Sequence, residues 1–267
     1  MSNADAILVE IKAPYAIITL NQPKKKNALD FELYKRLTQT FEAIDKKPEV
    51  FVTILTGTGD FMSAGADVKA TREDGRDGDA KARIVARFRE GNMALTRSVY
   101  RHSKILVAAM NGPVIGLSAA LLGYFDFIFS VDDAYFLTPF SAISLVCEGG
   151  SSQSLVQRMG LAKANEALLL GRKMTARELH TNGFINELFP KQPSAAFLKQ
   201  VLAHLDNKLD GLELDAMLES KRLIRANLAD PEDTNEREIV AGGDRFGTGK
   251  PQARFAQLAA KQMRHKI

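Results

Sequence analysis

Two stretches place small residues where an apolar run stops, and this pairing constrains the fold more than any other feature of the chain. In the first, Phe51-Val52-Thr53-Ile54-Leu55-Thr56 reads as a buried strand. Gly57 and Gly59 turn the chain, and Phe61-Met62-Ser63-Ala64-Gly65-Ala66-Asp67-Val68-Lys69 follows. In the second, Ile105-Leu106-Val107-Ala108-Ala109-Met110 reads as a strand. It runs into Asn111-Gly112-Pro113-Val114-Ile115-Gly116-Leu117-Ser118-Ala119-Ala120, which opens into an apolar helix. Side chains this small let a ligand lie against the main chain. Amide N–H groups at a helix start have no partner within the helix and point at whatever docks. A tight turn packed on itself explains either stretch alone. Together they predict two facing junctions, each giving one N–H to one oxygen, which suits a carbonyl that gains negative charge.

The rest of the chain alternates strand and helix signals. Strands are expected over residues 7–11 and 15–20, around a turn at Ala13-Pro14. Asn27 or Asp30 can cap a helix carrying Leu29, Leu33, Leu37, Phe41 and Ile44 at helical spacing, which Pro48 ends. Residues 71–79 are charged and glycine-bearing and read as a mobile loop. One long helix is expected over residues 80–102, with Ile84, Phe88, Leu95 and Val99 on its buried side and Asn92 inside it. Strands at 125–131 and 135–137 continue the alternation, which indicates parallel pairing with crossovers. Residues 140–148 read as a loop, Gly149-Gly150 as a helix start, and Thr175 as the cap of a short helix. Four amphipathic helices (195–207, 212–228, 231–246, 251–264) fill the remainder and need something to pack on.

Composition removes several classes of function. The 267 residues allow one large domain or a domain with an appendage, and a 45% apolar share is ordinary for a globular protein. No apolar run approaches the roughly 20 residues of a membrane helix. Met1-Ser2-Asn3-Ala4-Asp5 has neither the basic start nor the apolar core of a secretory leader, and Asp5 and Glu10 argue against a mitochondrial one. Cys147 is the lone cysteine, so no internal disulfide is possible, which suits a reducing compartment. His102, His180, His204 and His265 lie far apart, and no metal is expected. A net charge of +4 is too small to signal nucleic-acid binding but suits an anionic small ligand.

The junctions, together with Asn27-Ala28-Leu29-Asp30, resemble the signature of the crotonase (enoyl-CoA hydratase/isomerase) superfamily, from about Ile7 to the last residue. Within it, His102-Ser103-Lys104, Gly116-Leu117-Ser118-Ala119-Ala120-Leu121 and Glu148-Gly149-Gly150 are most similar to the fungal peroxisomal delta-3,delta-2-enoyl-CoA isomerases. Each junction alone is a weak signal; their combination is highly specific. The resemblance implies an α/β fold in which repeated ββα units form a spiral, rather than a doubly wound sheet. Residues 1–192 would form the core with the acyl-CoA site, and residues 193–267 a helical region for trimers or hexamers. It implies no cofactor, since coenzyme A is part of the substrate. It puts Ala66 and Leu117 at the two backbone donors, and Ala64, Gly65, Ala66, Asp67, Val68 and Leu117 along the acyl-CoA. It brings residues 71–79 to the acyl site, where they would order on binding. Asn92, otherwise an unremarkable exposed residue, would sit near the base and face the acyl chain. Coenzyme A phosphates would be drawn to Lys24-Lys25-Lys26 or to the basic C-terminus; the triplet also reads as a solvated loop. His265-Lys266-Ile267 is similar to variant tripeptides bound by the peroxisomal import receptor, and otherwise is an arbitrary basic end.

A thioester carbonyl held by two N–H donors becomes an enolate more easily, and its alpha proton becomes accessible to a carboxylate. Glu148 is the candidate base. It lies between the apolar Leu145-Val146-Cys147 and the flexible Gly149-Gly150, and apolar surroundings would raise its pKa. It also reads as a first-turn glutamate favoured by a helix dipole; in the family, the glutamate of the Glu-Gly-Gly motif is catalytic. Hydratases of the family use two glutamates to place water across a double bond, and the matching positions here are Ala120 and Phe140. Neither moves a proton, so the resemblance implies an isomerase that converts 3-enoyl-CoA to 2-trans-enoyl-CoA with one carboxyl group. Rival readings are a dienoyl-CoA isomerase, a hydrolase, a residual hydratase, and a non-catalytic acyl-CoA-binding or scaffold protein.

Overall fold

The computed structural model describes residues 5–70 and 80–263. The loop at 71–79 and the tripeptide His265-Lys266-Ile267 therefore lie outside the described residues. In chain order the strands are β1 (Ile7–Lys12), β2 (Tyr15–Leu20), β3 (Val52–Gly57), β4 (Ile105–Met110), β5 (Val114–Ile115), β6 (Phe127–Val131), β7 (Tyr135–Leu137), β8 (Met174–Thr175) and β9 (Glu187–Phe189). They form a six-stranded sheet, β1-β2-β3-β4-β6-β9, and a three-stranded one, β5-β7-β8.

The two sheets define a spiral. After β3 the chain makes a parallel bridge from Ser63 to Val114; after β4 it adds β5, and after β6 it adds β7. Each circuit thus leaves one segment in the large sheet and one on the small side. β2, β3, β4, β6 and β9 are mutually parallel, with β1 antiparallel on the edge. Every residue of β3 and β4 is buried. A parallel strand covered on both faces reads as an uninterrupted apolar run, the signal seen in the sequence.

The helices are α1 (Phe31–Asp45), α2 (Ala80–Phe88), α3 (Ala94–Tyr100), α4 (Leu117–Leu121), α5 (Ser151–Leu168), α6 (Ala176–Thr181), α7 (Ser194–Leu209), α8 (Leu214–Ala226), α9 (Glu232–Gly247) and α10 (Lys250–Ala259). Asp30 caps α1, accepting from Leu33 N at 2.9 Å. Asn27, the other candidate cap, is buried and braces the first junction. Its amide donates to Thr58 O and Phe61 O at 2.9 and 2.7 Å, and its Oδ1 accepts from Gln22 N at 2.8 Å.

Two expectations change. The helix expected over 80–102 is interrupted by a π-helical turn, Arg89–Met93, between α2 and α3. The wider turn separates two faces that equal spacing had merged. Ile84 packs with Ala80, Ile143, Phe246 and Phe255, whereas Leu95 and Val99 enter the main core. The first junction opens no helix between Thr58 and Ala70, so its amides are not presented by a helix start within the described residues.

The amphipathic C-terminal helices find their partners largely within the chain. α7 sinks Phe197, Val201 and Leu205 into the main core. α9 lies along α2, and Phe246 and Phe255 carry α9 and α10 onto Ile84. Lys221 of α8 donates to Lys104 O at 2.6 Å and pairs with Asp126 at 2.7 Å, while Leu223 and Ile224 face outward. Among the described residues no helix is long and apolar enough to cross a membrane.

Candidate active site

The two junctions are strapped together by main chain. Ile115 N donates to Ser63 O at 2.9 Å and Met62 N to Pro113 O at 3.1 Å. Ser63 Oγ donates to Asn27 O at 2.9 Å and lies 2.9 Å from Ser118 Oγ. Asn111, also buried, holds the intervening turn: its Oδ1 accepts from Gly57 N at 3.0 Å and its amide donates to Gly59 O at 2.8 Å. The contact requires glycine. Gly65 has φ +78°, and a Cβ there would lie 2.6 Å from Ile115 O.

This strapping leaves the amides of Ala66 and Leu117 unspent among the described residues. Around Ala66, Leu29 N donates to Gly65 O at 2.8 Å and Asp67 N donates to Leu29 O at 2.9 Å, which passes over the Ala66 N–H. Leu117 is the first residue of α4 after the Gly116 cap, so its N–H precedes the first intrahelical bond, Ala120 N to Gly116 O at 3.0 Å. Among the described residues, neither the Ala66 nor the Leu117 N–H donates a hydrogen bond.

The acid comes from elsewhere in the chain. Glu148 is half-buried in the irregular segment before α5, and its Oε2 accepts from Asn92 Nδ2 at 2.9 Å. Asn92 projects from the π-helical turn. Gly150 is the N-cap of α5, so Glu148 precedes the cap and is not a first-turn glutamate. Gly149 and Gly150 both have positive φ; a Cβ on Gly149 would lie 2.7 Å from Leu117 Cδ1, which brings the acid's segment against the second junction. The thiol of the neighbouring Cys147 is pushed up to about 11 by burial, reinforced by Glu238 and Glu148, so it stays protonated at neutral pH.

A cleft of about 120 Å³, partly open to solvent, runs between the first junction and the acid. Ala66, Asp67, Asn92 and Glu148 line it, with Phe31, Ile84, Phe88, Leu145, Phe246 and Phe255 as apolar wall. Phe246 and Phe255 come from beyond residue 192, so the cleft draws on the C-terminal helices as well as the spiral. Ala64, Gly65, Val68 and Leu117, expected along the ligand, are not among its described lining residues. Gly65 is pressed on Ile115, Ala64 N donates to Lys26 O at 2.8 Å, and Val68 packs with Ile84 and Phe246. Leu117 is buried, with its side chain toward Gly149. Among the described residues two other carboxylates line the cleft: Asp30 caps α1, and Asp67 accepts from Lys69 N at 2.9 Å and pairs with Lys25 at 3.5 Å. Ala120 and Phe140 are fully buried and apolar.

Glu238 of α9 was not legible beforehand, because it is one of several acids in a charged helix. It is buried, and its carboxylate accepts from Gly150 N, Ser152 N and Ser152 Oγ at 2.7, 2.8 and 2.6 Å. Among the described residues, no group of three His, Cys, Asp or Glu side chains could hold a metal ion.

The spiral and its two-walled cleft place the chain in a known class: it belongs to the enoyl-CoA hydratase/isomerase family, whose model matches residues 10–226. The chain is 42% identical to a Pyricularia oryzae protein named Delta(3,5)-Delta(2,4)-dienoyl-CoA isomerase, over 97% of this chain and 98% of the relative. It is 34% identical to the Saccharomyces cerevisiae 3,2-trans-enoyl-CoA isomerase, over 98% and 97%. A mouse protein, Enoyl-CoA delta isomerase 3, peroxisomal, is 36% identical over 82% of this chain and 67% of its own length. Among solved structures, an enoyl-CoA hydratase/isomerase from Pseudoalteromonas atlantica superposes with a TM-score of 0.80 at 25% identity, over 98% of this chain and all of that one. The crotonase-like spiral implied by the motifs is the fold of this chain.

Proposed function

We propose that the chain is a delta-3,delta-2-enoyl-CoA isomerase acting in the oxidation of unsaturated fatty acids. The observation that carries this reading is, among the described residues, one cleft glutamate, oriented by an asparagine and set beside two junctions with the unspent amides of Ala66 and Leu117, with apolar residues where a hydratase needs acids. The thioester oxygen lies between the Ala66 and Leu117 N–H groups. Glu148 removes a proton from C2, and the negative charge spreads over the dienolate and onto the held oxygen. The protonated Glu148 returns that proton at C4, which moves the double bond into conjugation with the thioester. Atoms balance with one carboxyl group and no water. Asn92 donates to Oε2 throughout and fixes which way the carboxylate faces. The site needs no cofactor.

The Pyricularia relative's name supports a second reading, dienoyl-CoA isomerisation. That reaction takes a proton at C2 and places it at C6, two bonds beyond C4, a longer reach for one carboxyl group. The deciding experiment offers cis- and trans-3-enoyl-CoA, 3,5-dienoyl-CoA and 2-enoyl-CoA side by side to the wild type and to Glu148→Gln. Higher kcat/KM on the 3-enoyl esters, lost in Glu148→Gln, is expected. Preference for the 3,5-dienoyl ester would establish the second reading, and acyl-CoA binding without exchange of the C2 proton would mark a non-catalytic protein.

Peroxisomal import through His265-Lys266-Ile267 is part of the proposal, supported by the mouse relative's name. A fluorescent fusion that stays cytosolic with the tripeptide free would refute it. Association into trimers or hexamers is likewise proposed; Leu223 and Ile224 on the outer face of α8 are apolar surface for it. Light scattering of the purified chain reads the mass directly.

A further inference from the structure

The acid and its orienting amide come from different elements, 56 residues apart. Neither element is regular: Asn92 sits in a π-helical turn, and Glu148 in a segment whose next two residues are left-handed glycines. Something must hold the two in register. Both are gripped by the same face of α9. Glu238 takes the amides of Gly150 and Ser152 and the Ser152 hydroxyl. Asn235, one helical turn earlier and fully buried, donates from its side-chain amide to Met93 O at 3.3 Å, the last residue of the π-helical turn. Arg89 and Arg97, on either side of Asn92, pair with Glu236 and Glu232 of the same helix.

The Glu238 bonds are unusual in their range. α5 has no side-chain cap of its own, because its N-cap is Gly150. A Cβ at Gly150 would lie 1.9 Å from Tyr124 Oη, so no capping side chain fits there. A carboxylate 88 residues away does the capping instead. Glu148 and Glu238 also line one small cavity of about 20 Å³ beside Cys147.

We propose that Asn235 and Glu238 are positioning residues for the reaction: α9 clamps the Glu148 segment and the π-helical turn together, so that Glu148 meets Asn92 and faces the two donor amides. This rests on the reading of Glu148 as the base. Displacement of a catalytic group by about an ångström can cost on the order of a hundredfold in rate while leaving ligand binding intact.

The test uses the full chain and its Glu238→Ala, Glu238→Gln and Asn235→Ala variants. It measures kcat and KM on 3-enoyl-CoA, the Kd of a saturated acyl-CoA, and hydrogen exchange at the Gly150 and Ser152 amides. For Glu238→Ala, kcat should fall about tenfold or more with Kd changed less than about twofold, and both amides should exchange faster. Glu238→Gln keeps one acceptor oxygen and should recover part of both effects; it also decides the matter if the alanine variant does not fold. Asn235→Ala should lower kcat in the same sense. Unchanged kcat alongside faster exchange would overturn the proposal. So would kcat and binding falling together in step with the folded fraction. Glu148→Gln separates the two readings: if it retains turnover, the base assignment has failed, whereas an inactive Glu148→Gln beside a fully active Glu238→Ala defeats only the clamp.

Discussion

The two walls of the cleft are built in opposite ways. The donor wall is backbone: two strand ends with small residues, bonded to each other within a few residues of Ser63 and Val114, of which the first reaches the cleft at Ala66 and Asp67. The acid wall is side chain. One carboxylate and one amide from distant elements meet, and a third element secures both. The donor wall should therefore tolerate changes of side chain and fail when the backbone is moved. The acid wall should fail at single functional groups while the fold stands.

Glu148→Gln tests the acid wall most directly. Removing a general acid–base group costs about 10²- to 10⁴-fold, so kcat should fall in that range with acyl-CoA affinity unchanged, as single-turnover and binding assays will show. Gly65→Ala tests the other wall. A Cβ would meet Ile115 O at 2.6 Å with φ at +78°, so both activity and stability should drop, the latter by about 1–2 kcal/mol from the backbone conformation alone. Full activity in Gly65→Ala would show that the junctions need not touch. Acid should weaken the donor wall's support. His102 Nε2 lies 2.8 Å from Thr53 Oγ1 on β3, and burial lowers its pKa to about 4 despite Asp45. The unfolded chain then takes up that proton first. Stability is complete above the unfolded value and is lost as pH falls from roughly 6.5 toward 4, by about 3 kcal/mol at most. Denaturant melts at pH 7 and 4.5 should show this slope, and it should shrink in His102→Gln. Asn92→Ala should cut kcat about tenfold, the worth of one hydrogen bond to a charged group, with little change in KM. Lys25→Ala should be smallest, under about twofold, because its 3.5 Å pair with Asp67 involves an exposed lysine.

These walls were unequally legible. The donor wall is local, so Ser63-Ala64-Gly65-Ala66 and Gly116-Leu117 could be picked out from composition after apolar runs. The mode of presentation at Ala66 could not, because a bridge to Leu29 replaces the expected helix start. Glu148 stood out through its glycine pair and the family motif. The π-helical turn left no trace in the apolar spacing, since Ile84, Phe88, Leu95 and Val99 satisfy one continuous helix as well as two. Glu238 and Asn235 were invisible for a different reason. Their meaning lies in contacts 86 to 142 residues away, and nothing local distinguishes them from solvated polar side chains.

The five-residue turn at Arg89–Met93 makes this region sensitive to reading-frame-preserving indels. Loss of one codon there would restore an ordinary α-helix and rotate everything upstream by about 100°. Ile84 and Phe88 would swing off Phe246, and the Asn92 amide would turn from its carboxylate partner. A single-residue deletion would thus undo the docking of the tail and the aim of the acid at once, although no residue that touches substrate had been exchanged.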